Sequence, residues 1–187
     1  MVDHERIANI GSKIRELELR KGDKRLFHCC HDDHGDKLVV REQPPKGFEK
    51  NNESYEPRLC VARSIPQCFA AMCKGRKDTV FVYEVDQPAL ATTCSGTTDA
   101  PLTSEYWLPP GATLAKVATI EADRVTEIHR RTWQLLESFL KPSGIHSRVA
   151  SIVAACEVLD DQLVTTSLEL LLRAEIGLEV PPENTRS

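Results

Sequence analysis

Apolar residues recur along the N-terminal stretch at helical spacing. Ile7, Ile10, Ile14 and Leu17 share one face between polar neighbours, and Gly22 stands where a left-handed cap would end the run, so the pattern predicts an amphipathic helix over 3–21. From Lys24 the period becomes that of extended chain. RLFHC and KLVVRE, the latter at 37–42, read as two short strands around HDDHGD, whose Gly35 and aspartates suit a reversal. These two strands either pair or merely lie near each other. RLCVA at 58–62 is a further strand, and in SIPQCFAAMC Ser64 is placed to cap a short helix that has Pro66 in its first turn and runs to about Cys73. TVFVYEV, 79–85, is rich in β-branched and aromatic residues and reads as the clearest strand, with a central place in the sheet.

Residues 43–57, dense in proline, asparagine and charge, predict an exposed loop, and 86–103 an irregular excursion. SEYWL and TLAKVATI give two more strands, separated at Pro109-Pro110-Gly111 because proline cannot donate to a ladder. Val125, Ile128, Leu135, Leu136 and Phe139 then fall on one helical face. Helical segments over about 146–158 and 161–176 follow, the second carrying Leu168, Leu171 and Leu172, and PPENTRS reads as a frayed end. The pattern therefore predicts an α+β fold: a mixed or antiparallel sheet of five to six short strands, an N-terminal helix, and a C-terminal helical tail over 123–178, all within a single domain, 1–187.

Composition narrows the setting. A chain of 187 residues with a 41% hydrophobic and 28% charged share suits one well-cored domain, and no apolar run approaches the ~20 residues of a membrane span. MVDHERIANIGSK places charges where a secretory signal needs an apolar centre, so a cytoplasmic location is expected. The net charge of −4 argues against a dominant phosphate-binding surface and leaves only a local basic patch open. Seven cysteines without such a signal point to free thiols rather than a disulfide framework.

The run LFHCCHDDH, 26–34, is the densest set of potential ligands. Its residues are adjacent, however, whereas a structural zinc site draws on spaced pairs. Successive strand side chains point to opposite faces, so His28 and Cys30 could share one side and Cys29 and His31 the other, which gives a single ion at most two ligands. The run is expected to be a strand end carrying one useful histidine, with no metal bound.

Three stretches in order, LFHCC at 26–30, PRLCVARSIPQCFAAM at 57–72 and TSEYWLPPGATLAKVATI at 103–120, resemble the ADP-ribosyltransferase fold, in the branch built around a His-Tyr-Glu triad. In that family the first core strand ends in a histidine, as in Leu26-Phe27-His28. A second strand leads through a serine-containing turn into a helix, as RLCVARS leads into IPQCFAAM. A late strand opens with a glutamate, as Glu105 does before Tyr106-Trp107-Leu108. The resemblance covers about 24–121. It departs from the family pattern at Cys29 and Cys30, where small residues usually follow the histidine, and at the second-strand tyrosine, whose place falls near Cys60 or Ala62.

The resemblance implies cleavage of the nicotinamide-ribose bond of NAD and transfer of ADP-ribose to an acceptor that the sequence does not name: protein, nucleic acid or small molecule. Glu105 would stabilise the oxocarbenium-like centre. His28 would donate a hydrogen bond to the adenosine ribose, and Arg58 or Arg63 would meet the pyrophosphate. Tyr83 and Tyr106 are candidate replacements for the absent nicotinamide-stacking ring. Two other functions compete. One is a catalytically silent module of the same fold that binds a nucleotide or protein partner; the other is an interaction protein whose leucine-rich tail docks on a partner or on itself.

Overall fold

The computed structural model describes residues 4–21, 24–42, 56–72, 76–94, 100–137, 144–159 and 171–174. In chain order the elements are α1 (His4–Lys21), β1 (Phe27–Cys30), β2 (Lys37–Val39), β3 (Leu59–Ala62), α2 (Ile65–Ala71), β4 (Val80–Val85), β5 (Thr92–Thr93), α3 (Ala100–Thr103), β6 (Glu105–Leu108), β7 (Thr113–Ile120), α4 (Ala122–Glu137) and α5 (Gly144–Leu159). Residues 171–174 are also helical. Seven strands form one sheet in the order β2-β7-β4-β1-β3-β6-β5, and every neighbouring pair is antiparallel. The α+β class and the N-terminal helix agree with the sequence pattern. The strand number does not: five to six were expected and seven are present. The additional strand is β5, two threonines inside the stretch read as irregular, which pair with Trp107 and Tyr106 of β6.

Alternation along the strands separates two cores. Val80 and Val82 of β4 and Phe27 and Cys29 of β1 face the helices, where they pack with Ile10 and Ile14 of α1, Phe69 of α2, Ile128 of α4 and Ile152 of α5. Leu172 joins this cluster and is fully buried. Tyr83 and Val85 point the other way, into a smaller cluster with Leu26, Val61, Leu108 and Leu114. Helices therefore cover one face, and the segments at 38–40 and 108–114 close the other. The apolar faces of α4 and α5 are spent on this shared core, the commoner fate of such stripes. Leu168 and most of the helix expected over 161–176 lie outside the described residues, as do PPENTRS and most of the 43–57 loop. Among the described residues no helix is long and apolar enough to cross a membrane.

Local chemistry accounts for the joints that frame the site. Ser64 is extended at φ −142° and its Oγ accepts from the Gln67 backbone N–H at 3.3 Å, the N-cap that starts α2 one residue after the turn from β3. Gln67, almost fully buried, is satisfied by the Ser64 hydroxyl at 2.7 Å and by donation from Nε2 to the Leu102 carbonyl at 3.3 Å. That second bond ties α2 to α3 and so fixes where β6 begins. Gly11 of α1 lies against α3 so closely that a Cβ there would stand 2.4 Å from the Pro101 Cβ.

Candidate functional site

The sheet opens beside its middle strand. β1 pairs with β4 along all of its length, from Phe27 opposite Glu84 to Cys30 opposite Phe81. With β3 it makes a single pair, Phe27 opposite Ala62. Past that pair the ladder gives way to a side chain: His28 Nδ1 lies 2.9 Å from the Cys60 carbonyl. A carbonyl oxygen can only accept, so Nδ1 carries the proton and Nε2 is left as a lone pair. Burial lowers the His28 pKa; the Cys60 hydrogen bond opposes this and nearby His34 adds to it, so the neutral ring is favoured.

A cleft of about 420 Å³ occupies the place where β1 and β3 part, and His28 and Glu105 both line it, together with Cys60, Ala62, Thr103 and Arg76. Such a volume is on the scale of small-ligand sites. Glu105 opens β6 directly opposite Ala62 of β3, so the pleat sends it to the same face as Ala62 and Cys60. Burial, and next the Glu105 carboxylate beside it, push the Cys60 thiol up; it stays protonated and shares a side-chain hydrogen bond with Glu105. Cys60 thus sets a protonated thiol against the Glu105 carboxylate.

The approach to Glu105 is conformationally costly. Ser104, the residue before it, has φ +45°, the left-handed region that non-glycine residues rarely adopt. Its Oγ donates to Glu18 Oε1 of α1 at 2.5 Å. Burial raises the Glu18 carboxyl, while the Ser104 bond and the charge of Arg63 pull it back. Residues held in strained backbone next to a cleft are a feature of functional sites.

The other expected site residues lie elsewhere. Arg58 is buried with its guanidinium 4.2 Å over the Trp107 ring, and Arg63 sits 4.8 Å over the Tyr106 ring with Nη2 3.3 Å from the tyrosine oxygen. Neither lines the cleft. Tyr83 is fully buried; its hydroxyl accepts from the His34 backbone N–H at 2.8 Å and donates to Asp33 Oδ1 at 3.3 Å, which pins the turn after β1. Lys116 completes that turn through an ion pair with Asp33 at 2.9 Å. Among the described residues the arginine or lysine that lines the cleft is Arg76, from the KGRKD run that reads in the sequence only as a turn. Its guanidinium pairs with Asp78 at 3.0 Å, both side chains being more than half exposed.

LFHCCHDDH behaves as a strand end and turn. Cys29 is buried against the helices, Cys30 donates its S–H to the Asp32 carbonyl at 3.2 Å, and His31 Nδ1 meets the Thr79 carbonyl at 3.2 Å. Among the described residues no three His, Cys, Asp or Glu side chains form a group that could hold a metal ion. The described cysteines, 29, 30, 60, 68, 94 and 156, are all free thiols. Comparison with family models, with curated proteins and with solved structures gave no match to this chain.

Proposed function

We propose that this chain is an NAD-dependent ADP-ribosyltransferase-like protein that transfers ADP-ribose to an acceptor. The observation that carries the reading is that His28, from the middle strand, and Glu105, from two strands away, both line one cleft at the place where β1 and β3 part. A carboxylate there meets the positive charge that develops at the ribose as the nicotinamide bond breaks. His28 takes a role opposite to the donor first assigned to it. Its Nδ1 proton is committed to Cys60, so Nε2 accepts from a ribose hydroxyl and fixes the sugar. Arg76, rather than Arg58 or Arg63, supplies the guanidinium for the pyrophosphate, since its exposed pair with Asp78 is weak and easily exchanged.

A specific observation favours a second reading, a nucleotide-binding module without turnover. Among the described residues the cleft is lined by no tyrosine, phenylalanine or tryptophan, so no such ring is there to stack on nicotinamide. Incubation with NAD separates the two. The enzyme releases nicotinamide, and Glu105→Gln, a near-isosteric change, lowers that release by about 10²–10³-fold, the order seen when one transition-state-stabilising group is removed. Unchanged turnover in a folded Glu105→Gln protein would remove the catalytic role; NAD binding without release would establish the module.

A further inference from the structure

The cleft at β1 and β3 continues into a larger one. His31, Met72 and Arg76 line both. The second cleft, about 830 Å³, lies among α2, α4 and α5, toward the upper end of ligand-site volumes. Among the described residues Arg76, Lys77, Arg130 and Arg148 line it with one carboxylate, Glu137, while Asp78 and Glu127 pair with Arg76 and Arg130 from outside the lining. In a chain whose net charge is −4 this excess is local, not background.

The cations differ in how they are held, and each arrangement suits a phosphate. Arg148 is anchored by donation from Nη1 to the Ala70 carbonyl, which joins α5 to the end of α2. Arg130 pairs with Glu127 one helical turn earlier, both side chains 43–54% exposed, an ion pair worth little and readily given up to a phosphate. Lys77 is exposed on the loop that Arg76 shares. Beside them Trp133 lines the same cleft with 66% of its surface in water. A broad open ring beside a row of cations is the arrangement that binds single-stranded nucleic acid, because every base has a face to stack and every link carries a charge.

We propose that this second cleft binds a short single-stranded segment of nucleic acid, with Lys77, Arg130 and Arg148 on its phosphates and Trp133 stacked on a base. Resting on the NAD reading, the bound strand is then the acceptor of ADP-ribose. A hydroxyl oxygen of the strand, delivered past Arg76, bonds to the ribose carbon as that carbon's bond to nicotinamide breaks. Neutral nicotinamide leaves with the bonding pair, and the hydroxyl proton passes to water. A flat anionic membrane would not reach cations that line a concavity from three elements. A phosphopeptide would use the guanidinium groups and leave the indole without a role.

The test uses the whole chain with Trp107→Phe, which keeps a ring over Arg58 and leaves Trp133 the sole fluorophore of the two tryptophans. Titration with a ten-nucleotide oligouridylate or oligothymidylate at low salt is expected to quench Trp133, and added salt to weaken binding steeply. In the otherwise unaltered chain, Trp133→Ala is expected to weaken binding about ten-fold or more, as loss of one stacked base does. Lys77→Gln and Arg148→Gln are expected to weaken it and flatten the salt dependence. Absence of binding, binding indifferent to all three substitutions, or tighter binding of a phosphoserine peptide or of phosphatidylserine vesicles would each overturn the proposal. Nicotinamide release is read separately: strand binding without release leaves the nucleic-acid site standing and removes the NAD reading, and release without strand binding does the reverse.

Discussion

At His28 one hydrogen bond decides both chemistry and pH response. The ring fills the gap where the β1–β3 ladder stops, donates from Nδ1 to the Cys60 carbonyl, and has its pKa lowered chiefly by burial. Well above the ordinary value of 6.5 the imidazole is neutral in folded and unfolded chains alike and adds no pH dependence. As the pH falls through 6.5 the unfolded chain takes up the proton first, so stability declines until the lower folded value is passed. His28→Asn keeps a donor for the Cys60 carbonyl and cannot titrate. Denaturant midpoints measured from pH 8 to pH 5 should therefore fall more steeply in the natural protein than in the variant. Glu18 titrates in both and cancels in the difference. Parallel profiles would show that the ring is not buried as described. Glu105 opens β6 where the sequence placed a strand start, whereas His28, expected to end its strand, lies inside β1, which runs on to Cys30. Cys60 beside Glu105 was not readable in the sequence, since that contact depends on which strands become neighbours, and Arg76 belongs to a run whose only local signal is a turn.

Elements were legible where their period was long and their ends were marked. The helix expected over 3–21 is present as His4–Lys21, and Ser64 caps α2 as its type and position suggested. Pairing was not legible, because it is non-local. KLVVRE and RLFHC flank one turn, yet β2 pairs with β7 at one edge while β1 takes the middle. β5 escaped notice for a different reason: Thr92 and Thr93 are exposed and too few to show alternation, and only the edge of β6 makes them a strand. The packing of α1 on α3 was equally hidden, since Gly11 reads as an ordinary helix-weakening residue. In the structure it is the point of contact, and a methyl group there would meet Pro101 at 2.4 Å. Gly11→Ala should therefore destabilise the protein by about 1–3 kcal/mol, the usual cost of overpacking, although alanine is the better helix former. Ser12→Ala, on the exposed side of the same helix, supplies the control. Chemical denaturation of the two variants checks this; a stabilised Gly11→Ala would mean that α1 and α3 do not touch there.

Across the molecule the question is whether the helices after β7 form a tail or part of the core. Their buried residues answer in one direction. Val125, Ile128 and Leu135 of α4 and Val149, Ile152, Val153 and Cys156 of α5 belong to the same cluster as Phe27 and Cys29 of β1 and Val80 and Val82 of β4. Arg131 and Arg173 both pair with Glu157, which binds α4 and the 171–174 helix to α5. Arg148 and its bond to Ala70 carry that unit onto α2, and α2 in turn holds α3 and the start of β6 through Gln67. The wall of the Glu105 cleft and the helices of the basic cleft are thus parts of one connected frame, and neither should survive the loss of the other. The two tryptophans report on each side separately, Trp107 from β6 and Trp133 from α4. Single-tryptophan variants, Trp107→Phe and Trp133→Phe, should unfold in denaturant with coincident shapes when each curve is referred to that variant's stability by far-ultraviolet circular dichroism. Ile152→Ala, fully buried in α5, should cost about 2–5 kcal/mol and shift the Trp107 signal as much as the Trp133 signal, because the cavity opens in a core common to both. An early Trp133 transition that leaves Trp107 unchanged would separate the helices from the sheet. The basic cleft would then be an appended module, not part of the frame around Glu105.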